Sequence, residues 1–261
     1  MRAYHFGGDG RTLFGVLHEP ARLGREGGAV VVCAPLWREA IRSHRVLRQL
    51  GLRLAKDGRA VLRFDYSGAG DSAGDGEHGD VETWVGDVIE AIDEARRECE
   101  VERVTLLGLR FGATLAALAA ARRDDVERIV LWEPVVDGAS YLEAGFADHR
   151  AWAEAYASWR RLPLAAVSDA GDEILGFRVT EAMRASIAGV KLTRMPTGPA
   201  RLLVVERQAP DPASPWSALG ARVEHKVMAE PEVWKQHHGE GTSGARQTCE
   251  VIATWLARSE S

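Results

Sequence analysis

The sequence predicts an α/β protein in which a mostly parallel sheet is flanked by helices and interrupted once by a helical insertion. Three observations carry that expectation. Strand-like and helix-like segments alternate from residue 29 to residue 132, a spacing that implies right-handed crossovers between parallel strands. Ala29-Val30-Val31-Val32-Cys33-Ala34 is a continuous apolar run of the kind buried on both faces of a sheet. Finally, the strand beginning at Arg103 runs into a helix of small apolar residues through Gly108-Leu109-Arg110-Phe111-Gly112, a turn pinched between two glycines.

Taken in order, residues 3–6 and 12–18, joined by Gly7-Gly8-Asp9-Gly10, read as an antiparallel hairpin at the sheet edge. The strand at 29–34 follows. From Arg38 to Asp57, Ile41, Leu47, Leu50 and Leu54 fall on roughly one helical face, and Gly58 stops the helix. A strand at 60–65 ends in a glycine-rich turn, and a helix over 81–97 carries Trp84, Val88, Ile92 and Ala95 at helical spacing. After the glycine-pinched turn and its helix, a strand at 127–132 ends at Glu133-Pro134, and the alternation breaks. Residues 135–198 show mainly helical periodicity, with Tyr141, Phe146, Trp152, Tyr156 and Trp159 in the first part and Phe177 to Ile187 in the second. Alternation returns with strands at 201–206 and 222–228 and a last helix ending near Trp255-Leu256. The expected organisation is a core of residues 1–134 and 199–261 with an inserted cap at 135–198.

A chain of 261 residues can bury one large core, and its formal net charge of -5 arises from acids and bases mixed along its length. Without a basic block, neither nucleic acid nor an anionic membrane surface is an expected partner. No apolar run reaches bilayer length and the N-terminus lacks a signal-peptide pattern, so the expected location is cytoplasmic. Cys33, Cys99 and Cys249 are odd in number and lack metal-like spacing. No metal and no cofactor are expected.

Glycines two before and two after a central residue match a nucleophile elbow, whose central residue should be Ser, Cys or Asp. Here it is Arg110, and a guanidinium stays protonated and cannot accept an acyl group. In the chain order of such sites an acid and then a histidine follow, which points to Glu206 or Asp211 and to His237 or His238. The backbone oxyanion donors survive the loss of a serine: the Phe111 N–H, and one from the loop at Leu36 or Trp37. A cation at a helix N-terminus costs roughly 0.3–1 kcal/mol unless an anion offsets it. That anion is either internal, with Glu133, Glu206, Asp211 and Glu39 as candidates, or it belongs to a ligand bearing a carboxylate, phosphate, phenolate or enolate. Trp37, Trp216 and Trp234 follow strands at the edge where open α/β sheets bind ligands. With Tyr141, Trp152, Tyr156 and Trp159 from the insertion they are expected to line an aromatic pocket. Ser67 and Ser72 suit local turn hydrogen bonds, and Cys33 suits an inert core position.

Ala34-Pro35, Arg42-Ser43-His44-Arg45, Leu62-Arg63-Phe64-Asp65-Tyr66-Ser67-Gly68-Ala69-Gly70-Asp71-Ser72, Trp84 and Gly108-Leu109-Arg110-Phe111-Gly112 together resemble the α/β-hydrolases related to serine aminopeptidases. Within them the chain is similar to the exosortase A system-associated hydrolases, some of which look similar in having arginine at the elbow. The resemblance implies the α/β-hydrolase fold with a cap over the site. It also implies a range of chemistry, since relatives hydrolyse esters, amides and thioesters while others carry out lyase, isomerase or carbon–carbon bond reactions. The expected function is an enzyme without a covalent intermediate, acting on an apolar or aromatic small molecule that bears an anionic or carbonyl oxygen. Arg110 and the oxyanion donors would hold that oxygen and His237 or His238 would move a proton, as suits biosynthesis of a secondary metabolite. Two rivals stand beside it: a binding or scaffold pseudoenzyme plugged by Arg110, and a hydrolase using His-activated water.

Overall fold

The computed structural model describes residues 1–8, 11–22, 28–164, 167, 171–193, 201–209, 211–217, 222–235 and 245–258. In chain order the core begins with β1 (Arg2–Phe6), β2 (Leu13–His18), β3 (Ala29–Cys33), α1 (Trp37–Lys56), β4 (Ala60–Phe64), α2 (Val81–Cys99), β5 (Val104–Leu109), α3 (Phe111–Ala120) and β6 (Val126–Trp132). The segment that follows holds α4 (Gly138–Arg160), a two-strand hairpin of β7 (Glu173–Ile174) and β8 (Phe177–Arg178), and α5 (Glu181–Ala188). β9 (Arg201–Glu206), β10 (Val223–Val227) and α6 (Arg246–Leu256) complete the chain.

Eight strands form one sheet in the order β1-β2-β4-β3-β5-β6-β9-β10. β1 and β2 pair antiparallel, β2 meets β4 antiparallel, and every pair from β4 to β10 is parallel. The central parallel strands are buried on both faces because α2 and α3 lie against one side and α1 and α6 against the other. β3 and β5 are buried at every residue, which explains why their sequences are continuous apolar runs rather than alternating ones. α2 and α3 share one apolar cluster with one sheet face. Residues of α1 and α6 share the other cluster with Val30, Val61, Leu107 and Val130.

Two expectations about local structure are corrected. Ile41 does not join the buried stripe of α1, which starts at Ser43 and runs through Val46, Leu47, Leu50 and Leu54; Ile41 is 62% exposed. Phe177 belongs to the β7–β8 hairpin rather than to a helix, because Leu175 and Gly176 at φ 49° and 96° form a left-handed turn that no helix continues through. The ends of the segment between β6 and β9 are drawn together by Gly138 N–H to the Val190 carbonyl (2.9 Å) and Leu192 N–H to the Val136 carbonyl (2.8 Å). A Cβ on Gly138 would stand 1.8 Å from the Ile187 carbonyl oxygen, so α4 and the end of α5 cross where only glycine fits.

Candidate functional site

The site is built on the turn between β5 and α3. Arg110 has φ 54° and ψ -126°, a backbone conformation that costs about 1–3 kcal/mol for a residue with a side chain and persists only where its surroundings impose it. The surroundings here are tight. A Cβ on Gly112 would lie 2.2 Å from the Ala34 carbonyl oxygen, and one on Gly108 would lie 2.3 Å from Ala113 Cα. Both glycines are therefore required by close approach, and the contact at Ala34 sets the β3–α1 loop directly against the turn. Arg110 N–H donates to the Trp132 carbonyl at 2.9 Å, which ties the turn to the end of β6. Trp37, at the start of α1, and Glu133, directly after β6, also have positive φ, at 53° and 49°. Three adjacent strand ends thus each hold one strained residue at the same edge of the sheet.

The Arg110 side chain turns toward α1. Its Nε donates to Glu39 Oε1 at 3.1 Å, and the Tyr141 hydroxyl of α4 donates to Glu39 Oε2 at 3.0 Å. The guanidinium carbon lies 5.1 Å from the Trp234 ring centroid and 5.8 Å from that of Tyr141, within range for cation–π attraction. Tyr141 is itself stacked against Trp37 at 6.2 Å and Phe111 at 5.2 Å. Burial pushes the Glu39 carboxyl above its ordinary value, and the Arg110 charge and the two hydrogen bonds pull it back only in part. Burial, reinforced by the Glu39 charge, holds the Tyr141 hydroxyl well above its usual range, so it remains a neutral donor. The Arg110 and Glu39 side chains keep 21% and 19% of their surface exposed. Among the described residues neither Nη of Arg110 has a hydrogen-bond partner.

The remaining candidates fall in several places. Phe111 is fully buried and Leu36 nearly so, and Trp37 is half-buried at the first position of α1. Glu133 lies within electrostatic reach of Arg110; burial raises its carboxyl, and its Oε1 is buried without a hydrogen-bond partner among the described residues. Glu206 ends β9 and contacts His225 of β10 (Oε2 to Nε2, 2.6 Å). His225 was not expected, because the chain-order rule looks for a histidine in a loop and this one lies within the strand beside β9. Asp211 is exposed and accepts the Ala213 N–H at 2.8 Å, a local turn contact. His237 and His238 lie outside the described residues.

The expected aromatic mouth divides. Trp216 packs into the cluster on the α2–α3 face and Trp234 into the one on the α1–α6 face, each 4% exposed, with indole nitrogens that find no partner among the described residues. They are core residues on opposite sides of the sheet, and only Trp234 meets Arg110. Trp152, Tyr156 and Trp159 stack along one outer face of α4, with Trp159 74% exposed, because spacings of four and three residues align side chains along a helix. They are absent from the walls of a cavity of about 890 Å3 that is bounded by α1, the ends of β2 and β4, the 65–77 loop and β8. That cavity includes Trp37 but not Arg110. Ser67 donates to Asp87 and Ser72 to the Asp65 carbonyl, while burial pushes the Cys33 thiol up to about 12. Among the described residues there is no cluster of His, Cys, Asp and Glu able to hold a metal, and no helix is long and apolar enough to cross a membrane.

Solved structures resemble the chain along nearly all of its length. Est1E from Butyrivibrio proteoclasticus, with bound ferulic acid, shares 17% identity over 97% of this chain and 98% of its own, with a TM-score of 0.63. The bottromycin epimerase BotH, in complex with bottromycin A2, shares 19% identity over 98% of this chain and all of its own, with a TM-score of 0.62. Proline iminopeptidase of Mycobacterium smegmatis shares 15% over 98% and 97%, at 0.61. These likenesses establish the α/β-hydrolase fold. No curated protein matches the sequence significantly. The profile of one family does match, over residues 39–186, which contain most of α1, the Arg110 turn and most of the segment after β6: the chain belongs to the serine aminopeptidase S33 family.

Proposed function

We propose that this member of the family acts on an apolar or aromatic small molecule without forming an acyl-enzyme, and that Arg110 anchors an anionic or carbonyl oxygen of that molecule. The observation that carries the reading is the one-sided engagement of Arg110. Glu39 takes Nε, and the Nη edge is left free among the described residues, beside the Trp234 and Tyr141 rings. A guanidinium so held can still offer two parallel N–H donors to a carboxylate or enolate. The Phe111 N–H, first in α3, is the expected second donor, placed where the helix dipole favours negative charge. The proton carrier of this reading is His237 or His238, and residues 135–198 are its cap. Two relatives in fold support the choice of ligand and of chemistry: Est1E binds ferulic acid, an aromatic acid, and BotH is an epimerase.

A second reading has its own observation. Glu39 is an internal counter-ion for Arg110, itself bonded by Tyr141, so the turn can be complete without a ligand and the protein a binding or scaffold member. Two variants separate the readings. With Arg110 as the anchor, Arg110→Lys weakens ferulate binding about tenfold or more, because an ammonium cannot reproduce the planar two-point contact. With Arg110 as a plug, Arg110→Ala lowers the melting temperature and leaves ferulate affinity unchanged. Labelling of any serine in stoichiometric amount by a fluorophosphonate would sink both.

A further inference from the structure

We propose that the chain carries a second small-molecule site, separate from the Arg110 turn, in which an apolar molecule lies between α1 and β4 with a carboxylate or phosphate group on Arg63. The cavity of about 890 Å3 is bounded there by Phe14 and Val16 of β2, Phe64 of β4, Ile41 of α1 and Phe177 of β8.

β4 is an interior strand, lying between β2 and β3. Its Leu62 and Phe64 enter the α2–α3 cluster, and Val61 enters the α1–α6 cluster. The period of two then puts Arg63 and Asp65 on the α1 face, where an interior strand would ordinarily continue with apolar residues. In register with Val16 and Val32, Arg63 is half-buried one residue before the end of β4. Its Nε donates to His18 Nε2 at 3.0 Å. That contact does not neutralise it, because burial, with Arg63 itself as the next cause, holds His18 at about 4 and therefore uncharged at neutral pH. Among the described residues no carboxylate oxygen lies within ion-pair distance of Arg63; the Asp65 charge acts on it from further away and is outweighed by burial and by Arg48. Asp65 is committed elsewhere, accepting the Asp71 N–H at 3.1 Å beneath Gly70, and Glu77 is paired with Arg178 at 3.0 Å. Asp71 and Asp75 belong to the exposed part of the 65–77 loop, whereas Arg48 of α1 adds positive potential beside Arg63; His44, lowered by burial and by Arg63, is uncharged at neutral pH.

A half-buried guanidinium facing a cavity, with only a neutral imidazole on Nε, is suited to an oxyanion that takes its two remaining nitrogens. The apolar residues around it call for an apolar body, and the β3–α1 loop, through Ala34, Leu36 and Trp37, links this cavity to the Arg110 turn.

The test uses the full chain carrying Arg110→Gln, so that the turn offers no anion contact, titrated by calorimetry with decanoate, decyl phosphate, decanol and decylamine. Decanoate or decyl phosphate is expected to bind at least tenfold more tightly than decanol, and decylamine not at all; the stronger of the two anions identifies carboxylate or phosphate as the natural group. Arg63→Gln should abolish the preference for the anion. Ile41→Trp, a change at an exposed position that fills the cavity mouth, should weaken both anions about tenfold while the fold is retained, and it decides the matter if Arg63→Gln fails to fold. Equal binding of decanol and decanoate, undiminished anion binding after Arg63→Gln, or indifference to Ile41→Trp overturns the proposal. Loss of anion binding on Arg110→Gln itself, set against the parent chain, also overturns it and assigns the anion to the turn.

Discussion

Two arginines on either side of β3 are kept by different means. Arg110 follows β5 and has a carboxylate, a tyrosine hydroxyl behind that carboxylate, and an indole face. Arg63 lies within β4 and has a neutral imidazole and open space. A guanidinium removed from bulk water needs either an internal anion or access to something mobile, and this sheet holds one example of each. The difference separates charge that belongs to the folded structure from charge left available.

The largest effect expected is on the turn itself. Gly112→Val would drive a branched side chain into the Cys33 and Ala34 carbonyls, at 2.3 and 2.2 Å already for its Cβ, and should cost about 3 kcal/mol or more in chemical denaturation. Next comes the comparison of the two arginines. Arg110→Met leaves Glu39 without its cation and should destabilise by about 1–3 kcal/mol. Arg63→Met removes a charge that makes no ion pair among the described residues, so it should cost less than about 1 kcal/mol or stabilise. Equal losses from the two would break the contrast.

The same pair has a pH signature. Glu39 is raised by burial and drawn back by Arg110, so losing the cation raises its folded value further. A carboxyl whose folded value exceeds its unfolded one binds its proton more tightly when folded. It favours folding at low pH, and that advantage is lost as pH rises through the carboxylate range toward the folded value. The stability deficit of Arg110→Met should therefore be smaller near pH 4 than near pH 7, by about 1 kcal/mol. A pH-independent deficit would remove Glu39 from the explanation. The smallest effect is expected at the aromatic row on α4: Trp159→Ala should change stability by no more than about 0.5 kcal/mol, since that ring is 74% exposed.

The elements were legible because a parallel sheet writes itself in continuous apolar runs and the turn in two obligatory glycines, and both signals are local. Glu39 was one of four named counter-ions, and nothing in the spacing singled it out: α1 begins at Trp37 and brings Glu39 beside a turn 71 positions later in the chain. His225 was invisible for the same reason, because its contact with Glu206 depends on β9 and β10 being neighbours in the sheet. The tryptophans misled because a loop position says which end of a strand a residue follows, not which face of the sheet it enters. Trp216 and Trp234 went to opposite faces.

By itself the sequence determined the alternation of strands and helices, the break after β6, and a turn whose central residue cannot be a nucleophile. Hydrogen-bonding periodicity and steric need for glycine act over a few residues, so they can be read along the chain. Only the tertiary structure decided which carboxylate neutralises Arg110, that the Trp152–Trp159 row lies on the outside of α4, and that Arg63 faces a cavity. Those outcomes depend on charges and rings from distant segments meeting across α1, α4 and the sheet, and the energies of such meetings are set by burial and distance, quantities that exist only once the chain has folded.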